Sequence, residues 1–256
     1  MQKIQHELKD KALFNKIAQD YFNKDIYVVS SEARKFQLNS LIKLYFEKTS
    51  KKELGTILEL GCGVGASAQY LVGKYEKYIG VDYTEKFIEL AQTNFSDKNN
   101  KFICANIKDF TVNSNEDIDF VFGVGVLHHI DNLEKVFENL KTIGNKETVF
   151  GFIEPQSSNP LIQLMRKIRM LIDKGYSSDQ VFFKKQFIDD VFRKNGFKII
   201  AIKYQGYFTP PFAQIMVKPA FIFKKIIRLL IATDNIIQNN LNNPLSWNII
   251  WIAKKV

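Results

Sequence analysis

One short stretch constrains the fold of this chain more than any other: an apolar run that ends in three glycines at alternate positions. Thr56–Leu60 has the apolar character of a buried strand and carries one acid, Glu59. Gly61, Gly63 and Gly65 follow, and a helical pattern comes next. This order of strand, glycine turn and helix is typical of a nucleotide-cofactor site, because glycine lets the backbone pass close to a ligand.

The glycine spacing separates this turn from a dinucleotide fingerprint. The fingerprint reads G-x-G-x-x-G, whereas here Gly65 follows Gly63 after only two positions. The shorter E-x-G-x-G-x-G turn resembles motif I of class I S-adenosylmethionine (SAM)-dependent methyltransferases. The resemblance implies that Gly61, Cys62, Gly63 and Gly65 lie beside the methionine part of SAM. It also implies that Glu59 helps to hold the amino group, while a plain tight turn is the alternative.

Strand-like and helix-like segments alternate after this turn. The predicted strands are Thr56–Leu60, Tyr78–Val81, Phe102–Ala105, Ile118–Phe122 and Val149–Ile153. The predicted helices are Ala66–Tyr75, Glu85–Phe95 and Leu133–Thr142. Such alternation builds a parallel sheet with helices on both faces. With the resemblance, it predicts an α/β, Rossmann-like seven-stranded sheet, parallel except for a C-terminal antiparallel strand, with helical additions.

Changes of pattern divide the chain into three predicted parts. Residues 1–50 form an N-terminal helical cap, and residues 51–155 form the SAM-binding core. Residues 156–256 complete the sheet with two strands and carry helical lid insertions over the substrate. The strands are Phe197–Tyr204 and Ser246–Ala253, and the insertions are 156–183 and 209–244. We expect a helix from Pro219 to about Ile231, followed by a capped or looped asparagine-rich segment, Asn235–Asn243.

Polar residues follow the second and third predicted strands. Asp82 comes 17 residues after Gly65, where a carboxylate can accept hydrogen bonds from both ribose hydroxyls. The resemblance implies this role for Asp82 and places Tyr83 beside the adenine; helix capping is the alternative for the acid. It also places Asn106 and Ile107 at the adenine. The family usually has an aspartate at the position of Asn106, but an amide carbonyl accepts the same bond.

The fourth predicted strand continues into a Leu-His-His run. Asp119–Ile130 closely resembles the fourth-strand motif of the family, which implies that Gly123 and Val124 line the cofactor. Imidazole titrates near neutral pH and can take a proton from a substrate hydroxyl. His128 is our candidate general base and His129 the weaker candidate. The alternative is that both rings pack against the next helix.

Three further segments resemble the methyltransferase type 11/12 group: Phe152–Pro155, Asn159-Pro160 and Tyr176–Asp179. The combination implies a SAM-dependent methyltransferase (EC 2.1.1.-) that produces S-adenosyl-L-homocysteine (SAH). No metal is implied, because adjacent histidines lack the i, i+4 spacing of a metal site on a helix.

Charge and cysteine usage bear on location. The net charge of +9 is uneven: residues 1–154 hold 20 basic and 22 acidic side chains, and residues 155–256 hold 16 and 5. Cys62 and Cys104 form no C-x-x-C pair, which indicates a reduced, cytoplasmic setting. No signal-peptide pattern and no apolar run of about 20 residues is present. We therefore expect a cytoplasmic protein, with peripheral contact to an anionic membrane through the basic part as an option.

The acceptor is the open question. Our preferred hypothesis is an O-methyltransferase of a small-molecule or lipid- or glycan-linked acceptor, because apolar additions suit a lid. Phe14–Tyr21 resembles the opening of ubiquinone/menaquinone-type enzymes, so a quinone or lipid C- or O-methyltransferase is the second. A nucleic-acid methyltransferase is disfavoured because no N-P-P-[FY] motif is present. A non-enzymatic SAM-fold scaffold is the fourth, and the oligomeric state is left open.

Overall fold

The computed structural model describes residues 2–112, 116–160, 162–164, 167, 183–240 and 245–256, with backbone only for residues 2–6. Most of the predicted lid insertion 156–183, including Tyr176–Asp179, lies outside the described residues. Residues 241–244 at the end of the second insertion also lie outside them.

The described residues form one seven-stranded sheet flanked by helices. The strands are β1 Thr56–Leu60, β2 Lys77–Asp82, β3 Asn100–Cys104, β4 Phe120–Val124, β5 Val149–Pro155, β6 Phe197–Gln205 and β7 Asn248–Lys255. The helices are α1 Gln2–Ile26, α2 Val28–Lys48, α3 Ala66–Tyr70, α4 Glu85–Phe95, α5 Leu133–Leu140, α6 Lys185–Lys194 and α7 Ala220–Asn240. Short 3-10 turns cover Leu127–His129 and Pro210–Ala213.

The sheet order is β3-β2-β1-β4-β5-β7-β6, with β7 antiparallel to both neighbours. This arrangement confirms the predicted fold class. Successive strands are added in opposite directions on the two sides of β1, so the carboxyl ends of β1 and β4 flank a topological switch point. Open α/β sheets bind ligands at such a point.

Each face of the sheet is covered by its own hydrophobic layer. One face packs on α5 and α6, through Phe137 and Phe192 among others. The opposite face packs on α2 and α4, where Leu41 and Tyr45 of α2 are fully buried. Because α2 belongs to this second layer, part of the predicted N-terminal cap is a sheet-packing helix. Among the described residues, neither of these two layers includes a residue of α1.

Three helix boundaries differ from the sequence prediction, and the smallest difference is at α5, which ends at Leu140 instead of Thr142. Helix α3 ends at Tyr70 instead of Tyr75 because Gly73, at φ +78°, turns the chain back toward β2. Helix α7 continues to Asn240, so the expected loop or cap from Asn235 was wrong over its first residues. The helix persists because Asp234 and Gln238 extend the buried face that begins at Ile227.

Candidate cofactor and active site

A cavity lies at the carboxyl edge of the sheet, beneath the N-terminal helices. Its floor comes from the turn after β1 and the loops after β2, β3 and β4, and its roof comes from α1 and α2. The predicted cofactor residues in its wall are Glu59, Gly61, Cys62, Gly63, Asp82, Tyr83, Asn106, Ile107 and Val124. Residues far apart in the sequence therefore meet at the topological switch point.

Two positions of the turn favour glycine for different physical reasons. A Cβ atom at Gly63 would project into open space, where it would occupy the cavity beside a ligand. A Cβ atom at Gly65 would come within 2.8 Å of Ala91 and 2.7 Å of the Phe102 ring. Both glycines have positive φ, which side chains disfavour. Gly63 thus keeps the site open, while Gly65 lets the turn pack on β3 and α4 and does not line the cavity.

Asp82 joins the cavity floor to the glycine turn. Its carboxylate accepts hydrogen bonds from the backbone N–H groups of Gly63 and Thr84, each at 2.9 Å. Burial raises the pKa of Asp82 above its ordinary value, and the two backbone donors oppose that rise. The residue therefore ties the segment before α4 to the glycine turn and lines the cavity as well, but it does not cap α4, whose N-cap residue is Thr84.

Glu59 of β1 also lies in the wall of the cavity. Its carboxyl accepts hydrogen bonds from the Ser67 hydroxyl at 2.8 Å and from the Tyr78 hydroxyl. Burial raises the pKa of Glu59 to about 8. In the free protein this carboxyl is mostly protonated at neutral pH, and a cation placed beside it would favour ionisation.

The loops after β2 and β3 form one end of the cavity. The Tyr83 hydroxyl donates to the Glu7 carbonyl of α1 at 3.4 Å. The Asn106 side-chain oxygen accepts the Lys108 N–H at 3.0 Å, and Ile107 is buried beside it. Tyr83 and Ile107 give this end of the cavity apolar lining, and the Asn106 amide adds a polar group.

The turn after β4 supplies a further wall. Val124 lines the cavity, but Gly123 does not. A Cβ atom at Gly123 would lie 2.6 Å from a methyl group of Val126, so glycine allows close packing there. Gly125 and Val126, which sequence reasoning missed, also line the cavity.

Of the two histidines after β4, His128 is buried and His129 is partly buried, and each is paired with an acid. His128 Nδ1 lies 2.8 Å from Glu154 Oε2, while Glu154 Oε1 accepts the N–H groups of Val126 and Leu127. His129 Nδ1 lies 2.9 Å from Asp10 Oδ2 of α1. Burial raises the pKa of Glu154 to about 7 and lowers the pKa of His129, which the neighbouring His128 lowers further. Of the two rings, His129 lines the cavity.

An ion pair between the buried Asp25 and the partly buried Arg34 lines the same cavity as Glu59. Arg34 Nε lies 2.9 Å from Asp25 Oδ1, and the Arg34 guanidinium donates to the Tyr21 hydroxyl at 3.2 Å. The nearby Asp25 carboxylate raises the pKa of Arg34 further above its already high value, although burial opposes this. Sequence reasoning missed all three residues. Arg34 stands beside Lys35 in the sequence, and nothing local distinguishes it from a solvent-facing cation.

No group of three or more His, Cys, Asp or Glu side chains among the described residues could hold a metal ion. No helix among the same residues is long and apolar enough to cross a membrane.

Comparisons with known proteins agree with this geometry. The family model described as a methyltransferase domain matches residues 58–150. Malonyl-[acyl-carrier protein] O-methyltransferase of Bacillus cereus is 30% identical over 112 residues, which are 43% of this chain and 41% of that protein. (S)-coclaurine N-methyltransferase of Papaver somniferum is 33% identical over 119 residues, 41% of this chain and 32% of that protein. The chain thus spans less than half the length of these curated relatives.

A solved structure extends the similarity to nearly the whole chain. The plantazolicin methyltransferase BamL, in complex with a triazolic desmethylPZN analog and SAH, has a TM-score of 0.64 at 15% identity. The alignment covers 99% of this chain and 97% of that one. Residues 58–150 therefore match a methyltransferase domain, and the chain has the fold of class I SAM-dependent methyltransferases. These findings confirm the resemblance and the fold that it implied.

Proposed function

We propose that this protein transfers the methyl group of SAM to a small-molecule or lipid- or glycan-linked acceptor, as an O-methyltransferase. The observation that carries the proposal is the cavity in which Glu59, Gly63 and Asp82 converge under α1. SAM supplies an activated methyl group, so the residues of this chain have to hold the cofactor, exclude water and orient the nucleophile.

The polar groups of the cavity match the parts of the cofactor. Asp82 accepts from the ribose hydroxyls, and Glu59 accepts from the ammonium group directly or through water. Tyr83, Asn106 and Ile107 hold the adenine. This assignment is supported by their common position in the cavity wall. Gly61, Cys62, Val124 and the glycine backbone complete the contact surface, whereas Gly65 and Gly123 act by allowing close packing behind it.

We also propose that Arg34 binds the carboxylate of the cofactor. It is a partly buried cation in the wall of the same cavity as Glu59, so ammonium and carboxylate would each meet an opposite charge. Asp25 and Tyr21 hold the guanidinium in place. A planar fork of this kind suits a carboxylate.

A base is needed if the acceptor is a hydroxyl group. His128 is the candidate from the sequence, and its Nδ1 faces Glu154. The cavity wall favours His129, whose Nδ1 faces Asp10 and whose ring contacts Phe14. A carboxylate at Nδ1 favours the tautomer with a lone pair on Nε2, which can accept a proton.

The acceptor class stays a proposal. Two curated relatives are named as O-methyltransferases, of malonyl-[acyl-carrier protein] and of juvenile hormone acid, and a third as an N-methyltransferase. The aromatic cavity wall, which includes Phe14, Tyr21 and Phe87, is equally compatible with a quinone-like ring. These features support an organic acceptor of modest size.

The test has two stages. Calorimetry with SAH should give one site per chain, and absence of binding by the folded protein would contradict the cofactor assignment. A screen of alcohols, phenols, acids and quinols with methyl-labelled SAM then identifies the acceptor. His129→Ala should lower kcat while leaving SAH affinity within a few-fold. If His128→Ala alone abolishes turnover, His128 is the base instead.

A further inference from the structure

Helix α7 carries an apolar stripe that the protein leaves exposed. Phe221, Leu229 and Ile236 are 73%, 67% and 64% exposed, and Ile222 is 45% exposed. Ile222, Leu229 and Ile236 recur at seven-residue steps, about two helical turns, so they share one face. Ile215 and Met216 in the segment before the helix are exposed as well. A clustered apolar surface of this kind marks an interaction site.

Cations border this stripe. Lys224, Lys225 and Arg228 lie on the same helix and Lys218 precedes it, and all four are exposed. The one acid in residues 206–240, Asp234, is buried and accepts the backbone N–H groups of residues 207–209. The segment therefore presents positive charge beside apolar side chains, with no exposed carboxylate of its own.

The buried face of α7 connects this surface to the cavity. Ile227 packs against Val29 and Ala33 of α2. The next residue of α2, Arg34, lines the cavity. The exposed stripe is thus separated from the cofactor site by the thickness of two packed helices.

We propose that α7 docks the protein onto an anionic lipid bilayer, lying parallel to its surface. Phe221, Ile222, Leu229 and Ile236 enter the region between headgroups and acyl chains, and Lys224, Lys225 and Arg228 bind the lipid phosphates. Charge complementarity selects this partner, because the exposed cations of the segment match the anionic headgroups. Such docking would hold the cavity close to acceptors that reside in the membrane.

The experiment uses the full chain and two kinds of vesicle. One contains phosphatidylcholine alone, and the other contains phosphatidylcholine and phosphatidylglycerol at about 7:3. The protein should co-sediment with the anionic vesicles and be released by high salt. Lys224→Gln/Arg228→Gln should weaken the partition coefficient roughly 30-fold, since each basic residue near the surface contributes about 1 kcal/mol. Leu229→Ser should weaken it as well, independently of salt.

Matched controls come from exposed residues elsewhere. Lys98→Gln/Lys101→Gln removes two exposed charges near the β3 edge, and Val72→Ser removes an exposed apolar side chain outside α7. Both should bind vesicles like the wild type. Equal losses of vesicle binding in the controls and the α7 variants would overturn the proposal. Failure of the wild-type protein to bind anionic vesicles would overturn it as well.

Two other partners that could bind the exposed face of α7 would give distinct results. A second copy would appear as a concentration-dependent dimer that Leu229→Ser dissociates, in the absence of lipid. RNA would appear as salt-sensitive binding lost in Lys224→Gln/Arg228→Gln but retained in Leu229→Ser. Either result without vesicle binding would contradict membrane docking.

Discussion

At the scale of single residues, Asp82 has two functions that one carboxylate can combine. It holds the turn through the N–H groups of Gly63 and Thr84, and it faces the cavity. We expect Asp82→Ala to weaken SAH binding by about 10- to 100-fold, because hydrogen bonds to a charged group contribute about 1.5–3 kcal/mol. Calorimetry measures the change.

A second aspartate provides the control for this substitution. Asp97 also accepts two backbone N–H groups, from Asn99 and Asn100, but in an exposed turn outside the cavity. Asp97→Ala should leave SAH affinity unchanged. If both variants bind alike, Asp82 has only a local structural role.

The raised pKa of Glu59 predicts that ligand binding releases a proton from this carboxyl. Because burial raises its pKa to about 8, the carboxyl is protonated in most free molecules at pH 7. A bound ammonium group favours the carboxylate, so ligand binding should expel most of one proton. Calorimetry of SAH binding at pH 7 in buffers of different ionisation enthalpy measures this number. Glu59→Gln should bind with no such release, and an unchanged release would assign the proton to another group.

At the scale of elements, α1 is held over the cavity by polar contacts. Glu7 pairs with Lys108 and accepts the Asp131 N–H, and Asp10 pairs with His129. These contacts tie the first part of the helix to the loops after β3 and β4. Since α1 forms part of the roof of the cavity, it must loosen for the cofactor to exchange.

We expect Lys108→Gln to loosen this roof. The ion pair with Glu7 is largely shielded from solvent, so its loss should speed hydrogen exchange of α1 amides and SAH dissociation by about 2- to 10-fold. Exchange mass spectrometry and stopped-flow measurements test the two effects. Lys135→Gln is the control, because it breaks a neighbouring pair with Asp109 that does not touch α1. Unchanged exchange in Lys108→Gln would show that this pair does not hold the helix.

At the scale of the whole molecule, the C-terminal part completes the sheet. Strand β7 lies between β5 and β6, and the Trp251 indole N–H donates to Asp189 of α6 at 2.7 Å. Both partners are buried. This hydrogen bond joins the last strand to the helix layer.

The hydrogen bond between Trp251 and Asp189 predicts that alanine substitutions at two adjacent aspartates will change the stability of the protein by different amounts. Asp189→Ala should lower the free energy of unfolding by about 1–3 kcal/mol, because it leaves the buried indole N–H without its acceptor. Asp190→Ala, at an exposed neighbour, should change it by less than about 0.5 kcal/mol. Urea unfolding followed by fluorescence measures both. Equal effects would show that the indole bond contributes little.

The local sequence pattern was enough to predict most of the strand and helix bounds. The bounds of β1 and α4 match the expected segments, and the other predicted strands differ by one or two residues. Helix α7 was predicted too short because Asn235 and its neighbours have low intrinsic helix propensity, which tertiary burial of Asp234 and Gln238 overrides. Most of the predicted cofactor residues line one cavity because they lie at or after the ends of strands that reach the same edge of the sheet.

By itself, the sequence determined the α/β class, the methyltransferase resemblance and the position of the cofactor turn. These depend on periodicity and on residues that are close together in the chain. Only the tertiary structure decided that Arg34 and Asp25 meet in the cavity, that His129 rather than His128 lines it, and that one face of α7 stays exposed. Each of these depends on which distant segments pack together, and local pattern does not encode that packing.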